Sequence, residues 1–186
     1  MLDEIKLKVC ASVYRPSEDS YLIAGQAEKY AFGRVLDLGT GTGISGIVSA
    51  LKGCDVTFAD IDEKAIECAK RNAKANRVTG NFIKSDMFES IDGKFNTIIF
   101  NPPYLESVKV PGRDIALDGG TKGREIIDRF LQEYSMFVEP KHVILLLESS
   151  INSYEDDVEH HNFEVVAKEH FFFEEIAVLK ISSGIY

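Results

Sequence analysis

The 186-residue chain has no tryptophan, only five prolines and only three cysteines. Cys10, Cys54 and Cys68 form no CxxC pair and no zinc-ligand spacing. So sparse and odd a set predicts a reducing compartment and no disulfide framework. No apolar run approaches the ~18 residues of a membrane span, and the first residues lack a signal-peptide core. A cytoplasmic, non-membrane protein is expected. Positive charge is also short: 21 Lys and Arg stand against 30 Asp and Glu, a formal net charge of −9. Phosphate binding is mainly a Lys and Arg effect, so direct nucleic-acid binding through overall charge is not expected. No internal repeat or low-complexity tract is present. What remains is an ordinary globular balance, 45% apolar and 27% charged, at a length that permits one full core.

Strand and helix patterns alternate, which predicts an α/β fold with a mostly parallel sheet and helices on both faces. Seven strands are expected, at 34–38, 55–59, 81–84, 95–100, 143–147, 163–172 and 176–181. The last two are close enough to form an antiparallel hairpin. Ile5, Leu7 and Val9 alternate with Lys6 and Lys8 and predict an additional short, half-exposed edge strand. Helices are expected at 18–30, 44–51, 63–75, 123–137 and near 154–160. Ser17 is placed to cap the first, with Glu18 and Asp19 at its positive end; Asp62 is placed to cap the third. The whole of 1–186 reads as one domain. It comprises an N-terminal strand and helix (1–33), a ligand-binding core (34–104), a long Gly-rich loop for substrate (105–122) and a C-terminal half (123–186). Phe171-Phe172-Phe173 reads as sheet core. His160-His161 reads as a solvated helix end, and His142 and His170 as structural.

The 34–38 strand runs into Asp37-Leu38-Gly39-Thr40-Gly41-Thr42-Gly43. Such a run brings backbone close to a ligand at a helix N-terminus. Gly41, Gly43 and Gly46 satisfy GxGxxG, and Asp60 stands near the offset of a ribose-binding acid, so a nicotinamide oxidoreductase is one reading. Asp37 opposes it. A carboxylate facing the cleft repels a pyrophosphate and attracts an ammonium or sulfonium group, and S-adenosylmethionine carries both. Asp60 can accept from ribose hydroxyls, Asp86 from an adenine amino group, and Met87 can offer its N–H and side chain to the adenine ring. Three acids at successive strand ends weigh more than any one of them.

The 95–100 strand ends at Asn101-Pro102-Pro103-Tyr104. Two prolines make the segment stiff and leave its carbonyls free. The Asn101 side-chain oxygen and the Pro102 carbonyl can each accept one proton of an NH2 group, and Tyr104 can stack on the flat group that bears it. Such a clamp suits a planar amide or an aromatic amine, and it catalyses by positioning and electrostatics without a metal.

Taken together, the Asp37–Gly43 run, Asp60, Asp86 and Asn101–Tyr104 resemble motifs of class I S-adenosylmethionine-dependent amino-methyltransferases. Val13 to Ser20 and Gly119 to Arg129 are similar to the HemK-like branch, in its short archaeal and eukaryotic form. The resemblance implies a Rossmann-like sheet and methylation of the glutamine amide in the Gly-Gly-Gln motif of a class-1 peptide-chain release factor. It also implies that Ser20 contacts the methionine end of the cofactor and that Gly39 is the close-approach glycine. The partners it implies are the release factor and a small zinc-binding activator protein, for which the N-terminal strand offers a docking edge. An exocyclic amine of adenine or guanine in RNA or DNA is the alternative substrate.

Overall fold

The computed structural model describes residues 2–103 and 124–183. Helix α1 (Glu18–Tyr30) leads into strand β1 (Arg34–Leu38), followed by α2 (Ile44–Leu51), β2 (Asp55–Asp60), α3 (Glu63–Ala75), β3 (Asn81–Lys84) and β4 (Phe95–Phe100). The later elements are α4 (Glu125–Glu133), β5 (Val138–Ser149), α5 (Tyr154–His161), β6 (Glu164–His170) and β7 (Glu175–Ser183). The seven strands form one sheet in the order β3-β2-β1-β4-β5-β7-β6. Strands β1 to β5 pair in parallel, and β7 pairs antiparallel with both β5 and β6. The order reverses direction between β1 and β4, the switch point at which open α/β sheets bind ligands.

The strand sequences explain this placement. β1, β4 and β5 are apolar on both sides, as strands covered on both faces must be. Alternate residues feed two cores. Val35, Ile99, Val143 and Leu145 face Ile23, Ala27 and Ile47 of α1 and α2. Leu36, Ile98, Ile144 and Leu146 face Phe130 of α4 and Tyr154 of α5. Each of these large apolar side chains contributes about 1.5–3 kcal/mol by leaving water.

The structure corrects three expectations. Residues 5–9 are extended but join no strand. Their partner is a helix: Lys6 and Lys8 exchange backbone hydrogen bonds with the side-chain amides of Asn76 and Asn72, one turn apart on α3 (2.9–3.1 Å). Ile5 and Leu7 pack inward against the α1–α2 layer. The alternating pattern is therefore real, but the segment offers no sheet edge for a partner. Secondly, Cys10 and Cys68 are joined in a disulfide with Cα atoms 5.9 Å apart. The amide ladder draws the N-terminal segment along α3 and sets one cysteine on the other, a proximity that spacing in sequence could not reveal. Thirdly, Phe172 and Phe173 are 92% and 90% exposed at the tip of the β6–β7 hairpin, not in the core. Ser17 occupies the cap position of α1, but its hydroxyl bonds the Glu18 carboxylate and caps no helix N–H; that of Ser20 is met by Asp19 instead (2.7 Å). Asp62 caps α3 as expected, accepting from Lys64 N–H (2.9 Å).

Candidate active site

A cavity of about 410 Å³ opens at the C-terminal ends of β1, β2, β3 and β4. Ser20, Asp37, Gly39, Gly41, Asp60, Asp86, Met87, Asn101, Pro102 and Pro103 all line it. The sheet thus gathers residues spread over more than 80 positions of chain. Gly43 stands behind the wall, not on it. Its φ of +86° lets the chain turn into α2, and a Cβ there would lie 3.1 Å from that of Ala69. Its constraint is helix packing rather than ligand contact. Tyr104, the 105–122 loop and the Gly119–Gly123 part of the second similar segment lie outside the described residues.

Asp37 ends the central strand with only 4% of its surface exposed. Its Oδ2 accepts from the Thr40 hydroxyl and from Gly46 N–H (3.0 Å), which fixes the first turn of α2 over the carboxylate. Burial outweighs those hydrogen bonds and pushes the carboxyl up to about 7. Among the described residues no cation pairs with it, so a cationic ligand group is the natural complement. Gly46 is required for this approach: a Cβ there would meet Phe58 at 2.3 Å and Asp37 Oδ2 at 2.8 Å.

Asp60 organises the glycine turn. Oδ2 accepts from Gly41 N–H and Oδ1 from Asp62 N–H, each at 2.9 Å. A carboxylate has about four acceptor positions, so acceptor capacity remains for hydroxyl groups. Burial pushes its carboxyl up as well. Asp86 is held from outside by Arg129 of α4, whose Nη1 donates to Oδ1 (2.5 Å). Met87 adopts a φ of +47°, a left-handed turn closed by Ser85, whose hydroxyl donates to the Met87 carbonyl (2.9 Å). The sequence offered Asp86 and Met87 but neither supporting residue.

The clamp side of the cavity holds the residue that sequence reasoning missed. Asp19 is only 4% exposed and lines the cavity. Its Oδ2 accepts from the Asn101 amide Nδ2 at 3.0 Å across 82 residues of chain. Its Oδ1 accepts from Ser20 N–H (2.7 Å), the Ser20 hydroxyl (3.2 Å) and the Tyr14 hydroxyl (3.3 Å). Burial, and then the Asp19 charge, push the Tyr14 phenol up to about 12, so it stays a donor. A carboxylate can only accept, so Asp19 dictates which end of the Asn101 amide it meets. The other end, Asn101 Oδ1, is buried and has no partner among the described residues. An unpaired buried acceptor costs about 1–3 kcal/mol, so the site retains it for a ligand donor. Asp19 was legible in sequence only as a helix-start acid.

The cavity therefore offers a buried anion at its centre, hydroxyl acceptors on one side and an orphan amide acceptor on the other. That donor set and volume fit an extended, cation-bearing nucleoside with an N–H substrate beside it. Comparison with known proteins agrees. The methyltransferase small domain model matches residues 15–115. A Methanocaldococcus jannaschii protein, provisionally assigned as protein N5-glutamine methyltransferase MJ0928, is 40% identical over 84% of this chain and 82% of its own. Methyltransferase HEMK2 of Mus musculus is 29% identical over 77% of this chain and 75% of its own. Among solved structures, E. cuniculi Mtq2, from its complex with Trm112, which methylates the termination factor eRF1, superposes with a TM-score of 0.70. It is 26% identical, covering 93% of this chain and 99% of that one. The nicotinamide reading finds no support. The chain belongs to the methyltransferase small domain family, and is a class I, S-adenosylmethionine-dependent methyltransferase with a Rossmann-like sheet.

Proposed function

We propose that the chain methylates the side-chain amide nitrogen of the glutamine in the Gly-Gly-Gln motif of a class-1 release factor. The observation that carries this reading is the buried, unpartnered Oδ1 of Asn101, locked in orientation by Asp19. A primary amide has two N–H protons. One is met by Asn101 Oδ1 and the other by the Pro102 carbonyl, which no proline N–H competes for. Gripping both protons fixes the amide plane and turns the nitrogen lone pair toward the cavity. S-adenosylmethionine, when bound, supplies a methyl group on a sulfonium centre. Asp37 offsets that positive charge, Ser20 holds the amino-acid end, Gly39 and Gly41 let the backbone approach, Asp60 takes the ribose, and Asp86 and Met87 take the adenine. The amide nitrogen would take the methyl group with its lone pair as the C–S bond pair stays on the departing thioether sulfur, and one N–H proton would pass to solvent water.

Relatives named for glutamine or eRF1 methylation support the substrate. The net charge of −9 favours a protein over a nucleobase in RNA or DNA. A release factor acts with the ribosome, so we place the enzyme in the cytoplasm, and we give it a small activator subunit of the zinc-binding type. No described helix is long and apolar enough to cross a membrane. The test is methyl transfer from labelled cofactor to release factor, tRNA and DNA, by wild type and Asn101→Ala, each with and without the activator. Wild type should label only the release factor, and Asn101→Ala should bind cofactor normally yet turn over at most about 1% as fast. Labelling of tRNA or DNA alone contradicts the substrate; lost cofactor affinity in Asn101→Ala contradicts the clamp.

A further inference from the structure

The tip of the β6–β7 hairpin goes against burial. His170 pairs with Glu175 and Phe171 N–H donates to the Glu174 carbonyl (2.7 Å), so Phe172 and Phe173 are the two residues of the turn. Neither has a positive φ, so the turn does not demand glycine or asparagine, but it does not call for phenylalanine either. Nor do the two rings gain from burial: they are 92% and 90% exposed and touch each other edge to face, centroids 4.8 Å apart. Phe171 and Ile151 add partly exposed apolar surface at the base. Two such rings present on the order of 300 Å² of apolar area, comparable to the largest patch on a typical monomer, which is often functional. The base is pinned: Lys168 and His170 both pair with Glu175 (2.8 and 2.9 Å), and Ser149 donates to Glu174 (2.7 Å). The rings are held out in water by an ordered support.

Topology fixes where they point. β6 is antiparallel to β7, which is antiparallel to β5, so β6 ends on the same side of the sheet as β4 and its Asn101-Pro102 segment. The tip lies ~12 Å across the sheet from the clamp, with strands ~4.8 Å apart, and further along it, since the register sets Asn101 level with Val178; the separation is on the order of 20 Å. Beside it, Glu155 and Asp156 are exposed in the first turn of α5, whose Tyr154 hydroxyl bonds Glu175.

We propose that Phe172 and Phe173 form the docking knob for the protein substrate: an apolar depression on the release factor, bordered by Lys or Arg, that lies outside its Gly-Gly-Gln loop. This rests on the glutamine reading above. The knob engages the folded factor and presents the glutamine to Asn101. It adds nothing to a short peptide, which cannot reach both places.

The test compares wild type with Phe172→Asn/Phe173→Ser, residues that a turn accepts. Steady-state kinetics use full-length release factor and a short Gly-Gly-Gln peptide. The double variant should raise KM for the release factor about tenfold or more, with its kcat, the peptide kinetics and cofactor affinity unchanged. An unchanged KM for a factor that wild type does methylate overturns the knob and leaves the glutamine reading standing. A wild-type dimer in sedimentation that the variant dissociates also overturns it, in favour of a second copy. A wild type that labels neither factor nor peptide overturns the glutamine reading and the knob with it.

Discussion

Asp37 makes cofactor affinity dependent on pH. In the ligand-free protein burial holds its carboxyl up at about 7, from an ordinary value of 3.8. The cationic ligand is complementary only to the ionised form, so below pH 7 binding must first remove a proton. Affinity then falls by the ratio of total to ionised carboxyl, about twofold at pH 7 and about a hundredfold at pH 5, hence about 50-fold between them. The sign for stability is opposite. A carboxyl whose folded value is raised contributes stability below its unfolded value, and loses it as pH rises through the folded value. From about pH 4 to 7 that loss is on the order of 4 kcal/mol for the ligand-free protein. Titration calorimetry with S-adenosylmethionine from pH 5 to 7 tests the first part. In Asp37→Asn the amide oxygen can still accept from Thr40 and Gly46, but the titrating charge is gone. Its affinity should be weak and nearly level, with any residual slope due to Asp60, whose carboxyl is also raised by burial. Wild-type affinity independent of pH, or a slope that the substitution leaves intact, refutes the reasoning.

Other perturbations separate the parts of the site. Asp19→Ala frees the Asn101 amide to rotate; kcat should fall about 10- to 100-fold while cofactor affinity stays within about twofold, and equal losses in both would contradict a positioning role. Gly46→Ala forces a Cβ into Phe58 and Asp37, so thermal unfolding should show a loss of about 1–3 kcal/mol or more, together with weaker cofactor binding. Reducing Cys10–Cys68, which closes a 58-residue separation, should cost about 2–4 kcal/mol in denaturant unfolding, and Cys10→Ser should reproduce that loss without a reductant.

The parts of the fold that could be read from sequence are those where one strand or helix declares itself. Buried parallel strands are apolar runs, so β1, β4 and the apolar stretch 143–147 of β5 were visible, while its more polar first residues were not, and acids ending successive strands marked the ligand edge before any geometry was known. The Asn101–Tyr104 segment was legible because its chemistry lies within four consecutive residues. What escaped was pairwise and long-range. Asp19 meets Asn101 across 82 positions, and at its own position it is indistinguishable from an ordinary acid at a helix start. Arg129 reaches Asp86 across 43. The segment around Lys6 and Lys8 shows the strand period because its backbone is extended, yet side-chain amides of Asn72 and Asn76 take the place of a neighbouring strand. The same docking made the disulfide. The Phe171–Phe173 run was misread because hydrophobicity predicts burial only where the chain can turn a residue inward, and a two-residue turn cannot.

The central claim is most directly tested by locating the product on the acceptor. Purified release factor is incubated with the enzyme, its activator and S-adenosylmethionine, digested, and sequenced by tandem mass spectrometry. The account predicts one added methyl group on the side-chain amide of the Gly-Gly-Gln glutamine, absent when Asn101→Ala replaces the wild-type enzyme. A methyl group on any other residue, or an unmodified glutamine beside a methylated nucleic acid in the same mixture, contradicts it.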